Sequence, residues 1–292
     1  MLNLMYITNR PEISKIAENA GVDWIFIDME FIGKDSRQGG LDTVKNRHTI
    51  EDVKNIRNAV SKSKVLVRVN PLHDELYEDG SEYRINYPSS EEEIEAVILA
   101  GADIIMLPFF KTIEEVETFI KIVQKGRKRH NKEVKTCLLL ETPEAANLLE
   151  QIVEIPGIDM IHIGLNDMHL ALGLKFMFQL LTDGSVDKWS KIIKSKGIQF
   201  GFGGLASLKG GAVPGEMILK EHYRLGSKQV ILSRAFCNAD QISDLGEIKT
   251  IFEKGISEIR LCERKLAEAS AESFEGNRLA VVNAVNEIIN NK

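Results

Sequence analysis

The amino-acid sequence predicts a (β/α)8 barrel, also called a TIM barrel, from three observations. Eight short apolar runs alternate with helical patterns along about 240 of the 292 residues, close to the roughly 250 typical of this fold. The runs are rich in Ile, Val and Leu without strict alternation, which suits strands covered on both faces. Strands that alternate with helices pair in parallel. An open doubly wound sheet is the alternative, but it would need two domains to use eight strands.

Each predicted strand is short, and helical patterns separate nearly all of them. The strands are residues 3–7, 23–27, 65–69, 103–107, 134–140, 160–163, 199–202 and 229–232. The helices are residues 11–20, 50–61, 91–100, 113–125, 143–153, 186–196 and 216–225. Gly21, Gly101 and Gly226 each follow a predicted helix, at the position where a helix C-cap requires a positive φ. These glycines therefore mark the ends of three helices.

The predicted barrel occupies residues 1–240, and residues 241–292 form a C-terminal helical extension that is continuous with it. Apolar residues recur at helical spacing in two stretches of this extension, on either side of a weak break at residues 273–277. We expect one helix to be the eighth barrel helix. We expect the other to pack on the barrel or on a neighbouring molecule.

Composition and charge narrow the classes of function. The chain has 37 basic and 43 acidic residues, a net charge of −6, and no basic cluster that indicates nucleic acid. Cys137, Cys237 and Cys262 are far apart and odd in number, which is typical of neither a disulfide framework nor a metal cluster and fits a reducing cytoplasm. No apolar stretch approaches the roughly 20 residues of a membrane helix, and the N-terminus lacks a signal-peptide pattern. We expect a soluble, cytoplasmic protein.

Two carboxylates follow neighbouring predicted strands. Glu141 comes directly after the fifth strand, and Asp167 follows the sixth. The carboxyl ends of barrel strands meet at one face, where the active sites of this fold lie. Converging carboxylate oxygens suit a hard divalent cation, with water or substrate in its remaining positions. The sequence thus indicates a metal-assisted enzyme that acts on a small, oxygen-rich molecule.

Other polar residues and glycines stand at or near the ends of predicted strands. They are Asp28, Glu30, Arg68, Asn70, Asn166, Gly203, Gly204, Ser233 and Arg234. A single Asp at a strand end is more often a helix N-cap than a ligand. The coincidence of acids, amides and arginines at predicted strand ends nevertheless favours a catalytic site.

Five segments of the sequence resemble motifs of a known family. They are GVDWIFIDMEF, VLVRVNP, AGADIIMLPFFKTIEEVE, LLLETPEAANLLEQI and GIDMIHIGLNDMHLALG, in that order. In these segments the chain resembles the HpcH/HpaI aldolase and citrate lyase β-subunit superfamily over residues 20–173, and more weakly up to residue 235. The separation of Glu141 from Asp167 is the separation that the family shows between its metal ligands.

The resemblance implies a role for each matching residue. Glu141 and Asp167 would hold Mg²⁺ or Mn²⁺, and Arg68 would bind the oxygens of a pyruvate-like 2-oxo acid. The backbone of Asn166 and Asp167 would meet the carboxylate of that acid, and Glu30 would help to order metal-bound water. The resemblance also implies an aldehyde as the second substrate and a homo-oligomeric assembly.

One departure from the family pattern concerns the catalytic base. Family members usually have His directly after the D-x-E motif, where this chain has Phe31. The acid that commonly orients that His corresponds to Leu99. Both halves of the usual dyad are therefore expected to be missing.

A long segment, GKDSRQGGLDTVKNRHT, follows Phe31 and brings four basic residues to the predicted catalytic face. They are Lys34, Arg37, Arg47 and His48. One interpretation is a solvated loop that ends in a helix N-cap at Thr49. The other is that His48, Arg37 or Arg47 replaces the missing base or binds an anionic group of the substrate.

The remaining histidines and the loop after the third strand suggest further contacts. His169 could approach the metal, but a capping or supporting role is favoured, and His162 is expected to be a hydrogen-bonded interior histidine. His73 opens a loop in which Asp79 and Gly80 resemble a type I′ turn. This loop is interpreted as a flap over the barrel or as a plain surface excursion. The possible specificity contacts of the flap are Tyr77, Tyr83 and Arg84.

The glycine-rich segment after the seventh strand has two interpretations. Barrels often bind phosphate with the loops after strands seven and eight. The candidates here are Gly203, Gly204, Ser233 and Arg234. A tight loop that requires positive φ would have the same composition.

Three functions follow from these observations. The leading one is a metal-dependent carbon–carbon lyase, an aldolase, acting on a 2-oxo acid and an aldehyde through a metal-stabilised enolate. The second is a lyase of the citrate-lyase type that acts on an acyl thioester, although the chain has no distinct coenzyme A motif. The third is a barrel with a binding role, which the charged cluster around Glu141, Asp167 and Arg68 argues against.

Overall fold

A computed structural model describes residues 1–32, 48–74 and 89–291. Within these ranges, eight strands form a closed parallel barrel in sequence order, and the last strand pairs with the first. Helices separate consecutive strands. The predicted fold class, a (β/α)8 barrel, is therefore confirmed.

The strands and helices have the following bounds in the described residues. The strands are β1 Asn3–Ile7, β2 Trp24–Asp28, β3 Lys64–Arg68, β4 Ile104–Leu107, β5 Lys135–Leu140, β6 Met160–Ile163, β7 Gln199–Leu205 and β8 Gln229–Leu232. The helices are α1 Pro11–Ala20, α2 Ile50–Ala59, α3 Ser90–Ala100, α4 Ile113–His130, α5 Pro143–Asn147, α6 Leu149–Ile152, α7 Leu165–Ala171, α8 Gln179–Thr182, α9 Ser185–Ser195, α10 Gly215–Leu225, α11 Leu245–Leu266 and α12 Ala271–Asn290.

Local signals in the sequence explain where the helices begin and end. Gly21, Gly101 and Gly226 have φ of 102°, 101° and 77°, so the three predicted C-caps are confirmed. The hydroxyl of Thr49 accepts a hydrogen bond from the backbone N–H of Asp52, which confirms the predicted N-cap. The helix predicted over residues 143–153 is instead divided into α5 and α6 at Leu148.

Apolar side chains form two layers. The inner layer fills the barrel interior with Met5, Trp24, Phe26, Leu66, Ile104, Met106, Cys137, Leu139 and Met160. The outer layer packs the other face of the strands against the helices. Strand residues therefore alternate between the interior and the helix layer, and every second residue near a strand end faces the interior.

The C-terminal helices pack on the barrel. Helix α11 contacts α1 and α10, so it occupies the eighth position in the ring of helices, while α12 packs against α10 and α8. The buried carboxylate of Glu263 on α11 accepts a hydrogen bond from the backbone N–H of Leu2 (2.6 Å). Arg260 of the same helix pairs with Asp23 at 2.7 Å. These bonds connect α11 to the start of β1 and β2; a boundary at residue 240 stays a prediction.

None of the helices in the described ranges combines the length and the apolar composition needed to cross a membrane.

We predict opposite stability changes from alanine at two glycines. A Cβ at Gly201 on β7 would lie 2.2 Å from the backbone oxygen of Gln229, whereas a Cβ at Gly276 on α12 would meet no atom within 4 Å. Gly201→Ala should therefore lower the free energy of unfolding by about 1–3 kcal/mol. Gly276→Ala should leave it unchanged or raise it by up to about 1 kcal/mol, because alanine favours a helix interior. Urea denaturation of both variants would measure this, and equal stabilities would contradict the packing described for β7 and β8.

Candidate active site

A cavity of about 170 Å³ lies at the carboxyl ends of the strands. Its lining residues are Ile7, Phe26, Arg68, Leu139, Glu141, His162, Gly164, Leu165, Asn166, Asp167, Met177, Gly203, Gly204 and Ile231. A cavity of about 150 Å³ holds a benzene-sized ligand, so this volume suits a small molecule. The two carboxylates, the arginine and the amide predicted for the metal and the 2-oxo acid therefore share one cavity.

Glu141 follows β5 and is 3% exposed. The backbone N–H of Phe109 donates a hydrogen bond of 3.1 Å to Glu141 Oε1, and Phe109 adopts a positive φ of 52°. A Cβ at Gly164 would lie 2.8 Å from Glu141 Cβ and 3.0 Å from its Oε2. The carboxylate therefore occupies space that exists because residue 164 has no side chain.

Asp167 and Asn166 lie in the first turn of α7, which begins directly after β6. Strands β5 and β6 are neighbours, with Leu140 opposite Ile163 in the register. Asp167 is half-buried and Asn166 is exposed, and both line the cavity. The two predicted metal ligands thus come from the ends of adjacent strands.

Arg68 forms a buried cluster with two acids. Its Nε and Nη2 donate to Oδ1 and Oδ2 of Asp28, both at 2.8 Å, and its Nη1 lies 3.2 Å from Glu30 Oε2. Burial alone would lower the pKa of Arg68, but the charges of Asp28 and Glu30 more than offset this and raise it well above its ordinary value. The guanidinium is therefore a fixed cation in the wall of the cavity.

His48 contacts the end of β2 through both its ring and its backbone. Its Nδ1 accepts a hydrogen bond of 3.0 Å from the backbone N–H of Asp28, and its own backbone N–H donates to the Asp28 carbonyl at 3.3 Å. In a neutral ring, an accepting Nδ1 places the proton on Nε2. The lone pair that a base would use is then already engaged by the Asp28 N–H. His48 must therefore break this bond to act as the predicted replacement base.

A buried network fixes the backbone at Phe31. The N–H groups of Phe31 and Ile32 donate to Asn70 Oδ1 at 3.0 and 3.1 Å. The Asn70 side-chain amide donates to Glu93 Oε1 at 2.8 Å, and burial raises the pKa of Glu93.

Leu99, the position that corresponds to the orienting acid of the family, lies near the end of α3 that leads into β4, at the amino-terminal side of the barrel. Within one chain, position 99 is therefore not beside residue 31.

Three other histidines differ in their surroundings. His162 is buried and lines the cavity, as expected of an interior histidine. Neither ring nitrogen makes a well-formed hydrogen bond with a described residue, although the backbone of Gly203 lies close enough to act on the ring. Burial lowers the pKa of His162 to about 4, so the ring is neutral near pH 7. His169 Nδ1 lies 3.2 Å from the carbonyl of Leu165, the first residue of the same helix, and a capping or supporting role of His169 stays a prediction. His73 contacts Pro71 and Ser90 outside the cavity.

The residues predicted for phosphate binding do not all meet at the cavity. Gly203 and Gly204 line it, whereas the backbone N–H of Ser233 donates to Leu205 within the barrel and Arg234 is exposed outside the lining. Gly203 has a φ of 49°, and a Cβ there would lie 2.8 Å from Leu165 Cδ1. This is the geometry expected of the tight-loop alternative, and an anion site at Gly203 and Gly204 stays a prediction.

Two sets of predicted residues lie outside the described part of the chain. They are Lys34, Arg37 and Arg47 of the long segment, and Tyr77, Tyr83 and Arg84 of the predicted flap.

The donors at the cavity fit a hard divalent cation. Mg²⁺ commonly takes one or two carboxylates and keeps water or substrate oxygens in its other positions, and Glu141 and Asp167 offer two carboxylates. The space beside Gly164 and the hydrogen bond from Phe109 orient the first of them. In the described ranges no three His, Cys, Asp or Glu side chains are grouped to hold a metal, so these two carboxylates are the donors considered.

Acids and an arginine surround a small cavity at the carboxyl ends of the strands. This is where enzymes built on the (β/α)8 barrel have their active sites. The sequence profile of the HpcH/HpaI aldolase/citrate lyase family matches residues 3–180, more than half of the chain. The chain therefore belongs to the HpcH/HpaI aldolase/citrate lyase family, whose general chemistry is that of lyases.

Solved structures with the same fold include members of this family. An HpcH/HpaI aldolase from Desulfitobacterium hafniense DCB-2 is 16% identical, with 89% of this chain and 93% of that chain covered at a TM-score of 0.57. A family protein from Burkholderia cenocepacia J2315 is 16% identical, and the alignment covers 85% of this chain and 95% of that chain at a TM-score of 0.56. The citrate synthase SbnG is 17% identical, and the alignment covers 85% of this chain and 92% of that chain at a TM-score of 0.58. At these identities the likeness establishes the fold. No curated protein sequence matches the chain.

Two substitutions of His48 separate a structural role from that of a base. His48→Asn keeps an acceptor close to the Nδ1 position, so we predict that it retains the bond to the Asp28 N–H and most of the activity. His48→Ala leaves that N–H without this acceptor and should lower the free energy of unfolding by about 1–3 kcal/mol. Turnover and urea denaturation would measure both effects. If His48 is the base, both variants should instead lose about 10²–10⁴-fold in turnover.

Proposed function

We propose that the protein is a metal-dependent carbon–carbon lyase of the aldolase type, acting on a 2-oxo acid of pyruvate type with an aldehyde partner. The observation that carries this proposal is that Glu141, Asp167 and Arg68 line one small cavity. Membership of the family supports lyase chemistry in general. The carboxylates and the fixed arginine support a substrate that is anionic and rich in oxygen.

Glu141 and Asp167 are the proposed ligands of Mg²⁺ or Mn²⁺. When bound, the metal supplies Lewis-acid stabilisation of the negative charge that develops on an enolate oxygen. Glu141 is oriented in advance by the Phe109 N–H. Asn166 and Asp167 lie where α7 begins at the edge of the cavity, and their backbone is proposed to meet the substrate carboxylate.

Arg68 is proposed to bind an oxygen of the 2-oxo acid. Nε and one N–H of Nη2 are used by Asp28, and Nη1 faces Glu30. A guanidinium has five N–H donors in a planar fork, so Arg68 has more donors than these contacts use. Lysine could not keep the bidentate pair and also contact the substrate.

Glu30 is proposed to order water next to Arg68. It is 2% exposed, and its Oε2 lies 3.2 Å from Arg68 Nη1. Glu30 is not among the residues that line the cavity, so its proposed contact with the substrate is indirect, through Arg68 or a water molecule.

We further propose a homo-oligomer with small molecules as its substrates, located in the cytoplasm. The absence of a basic cluster and the net charge of −6 argue against nucleic acid as a partner. Sedimentation equilibrium would measure the oligomeric state.

The exchange of pyruvate methyl protons with D₂O, followed by NMR, tests the proposed function. We predict exchange with Mg²⁺ or Mn²⁺, loss of exchange with EDTA, and a decrease of about 10²-fold or more in Glu141→Gln, because the enolate charge loses its stabilisation. Glu144→Gln is the matched control: Glu144 lies three residues further along in α5, is exposed and pairs with Lys111. It should exchange as the wild type does.

Two results would contradict the proposal in different ways. Exchange that survives both EDTA and Glu141→Gln would exclude the metal role. Absence of exchange in the metal-loaded wild type would exclude a pyruvate-type substrate and turn attention to an acyl thioester.

A further inference from the structure

His162 is a buried polar side chain at the bottom of the cavity. It lies on β6, faces the barrel interior like Met160, and is 1% exposed. Neither Nδ1 nor Nε2 makes a well-formed hydrogen bond in the described part of the chain; the backbone of Gly203 lies near the ring and leaves at least one ring nitrogen unsatisfied. A buried polar group without a partner is destabilising, so its presence here calls for a compensating ligand.

Glycines occupy two positions close to His162 in the strand pattern. Gly164, directly after β6, is two residues further along the chain, and Gly201 is the register partner of His162 on β7. The register partner on β5 is the apolar Leu139, two residues before Glu141. His162 therefore lies one layer below the proposed metal-binding carboxylate, and the space above it belongs to the cavity.

A neutral imidazole offers one N–H donor and one acceptor nitrogen. That combination suits a hydroxyl group, which both donates and accepts, or a carbonyl oxygen, which accepts. The rest of the floor is apolar, with Leu139, Phe26 and Ile231. A ligand that extends below Glu141 thus meets one polar group among hydrophobic side chains.

We propose that His162 binds an oxygen of the 2-oxo acid as a neutral hydrogen-bonding group at the floor of the cavity. This assignment rests on the proposed function. It gives the cavity a second polar contact, separate from the carboxylates and Arg68. The apolar residues around it exclude a charged group at that depth.

A structural explanation is the competing account. The side-chain amide of Gln229 on β8 is also buried without a described partner, and Gln229 is the register partner of Gly201. A buried water molecule between His162 and Gln229 would satisfy both groups. In that case His162 would contribute to stability and not to substrate binding.

The test compares His162→Phe and His162→Gln in the full-length, Mg²⁺-loaded protein. Pyruvate affinity is measured by isothermal titration calorimetry, and Tm by differential scanning calorimetry without pyruvate. We expect His162→Phe to bind pyruvate about tenfold more weakly and to gain about 2 °C or more in Tm, because it removes buried nitrogens that make no well-formed hydrogen bond. His162→Gln should recover most of the affinity, because it keeps a donor and an acceptor.

The matched control is His222→Phe. His222 is equally buried and lies outside the cavity; it stacks on Phe202, and its Nδ1 bonds Ser227 Oγ at 2.8 Å, while its Nε2 has no described partner. This variant should lose stability and keep the wild-type affinity for pyruvate. The opposite directions of the two His→Phe changes distinguish a ligand-binding histidine from a structural one.

The outcomes separate the assignment from the proposed function. Wild-type affinity in His162→Phe would overturn the assignment alone, whether Tm falls or rises. If His162→Phe loses both affinity and stability, recovery of affinity in His162→Gln supports the assignment, and failure to recover overturns it. A wild type that does not bind pyruvate overturns the proposed function and the assignment with it.

Discussion

Glu141 can lie at the end of β5 because Gly164, the residue directly after β6, has no side chain. A Cβ at residue 164 would collide with both Cβ and Oε2 of Glu141, and the carboxylate would have to leave the orientation that the Phe109 N–H stabilises. Gly164 and His162 both line the cavity. The position of the proposed metal ligand therefore depends on one glycine.

The charges around the cavity are arranged before any ligand binds. Asp28 and Arg68 are register partners on β2 and β3, and their bidentate pair is buried. A cation fixed in this way does not need to reorganise when negative charge develops on a substrate oxygen, which is the condition for effective electrostatic stabilisation. The Asn70 and Glu93 network holds the backbone that follows Glu30, so the turn after β2 is fixed from the neighbouring helix.

Much of the fold was predictable because its signals are local. Runs of Ile, Val and Leu located the eight strands to within a few residues, and strand order then placed Glu141 and Asp167 at one face. The Asp28–Arg68 pair was not predicted, because it depends on the lateral register of two strands. The alternation along β2 could have indicated that Asp28 faces the barrel interior, as Trp24 and Phe26 do. The surroundings of His162 were not predictable for a related reason: its hydrogen bonding is set by the neighbouring strands, where its register partners Leu139 and Gly201 offer no polar side chain.

The central claim is that Glu141 and Asp167 together hold a divalent cation over this cavity. Anomalous scattering from a crystal grown with Mn²⁺ and pyruvate tests it most directly. The account predicts one Mn²⁺ peak at about 2.0–2.2 Å from carboxylate oxygens of both residues, with a pyruvate oxygen among its remaining ligands. A fully occupied Mn²⁺ bound elsewhere, or pyruvate bound in the cavity without a metal peak between the two carboxylates, would contradict it.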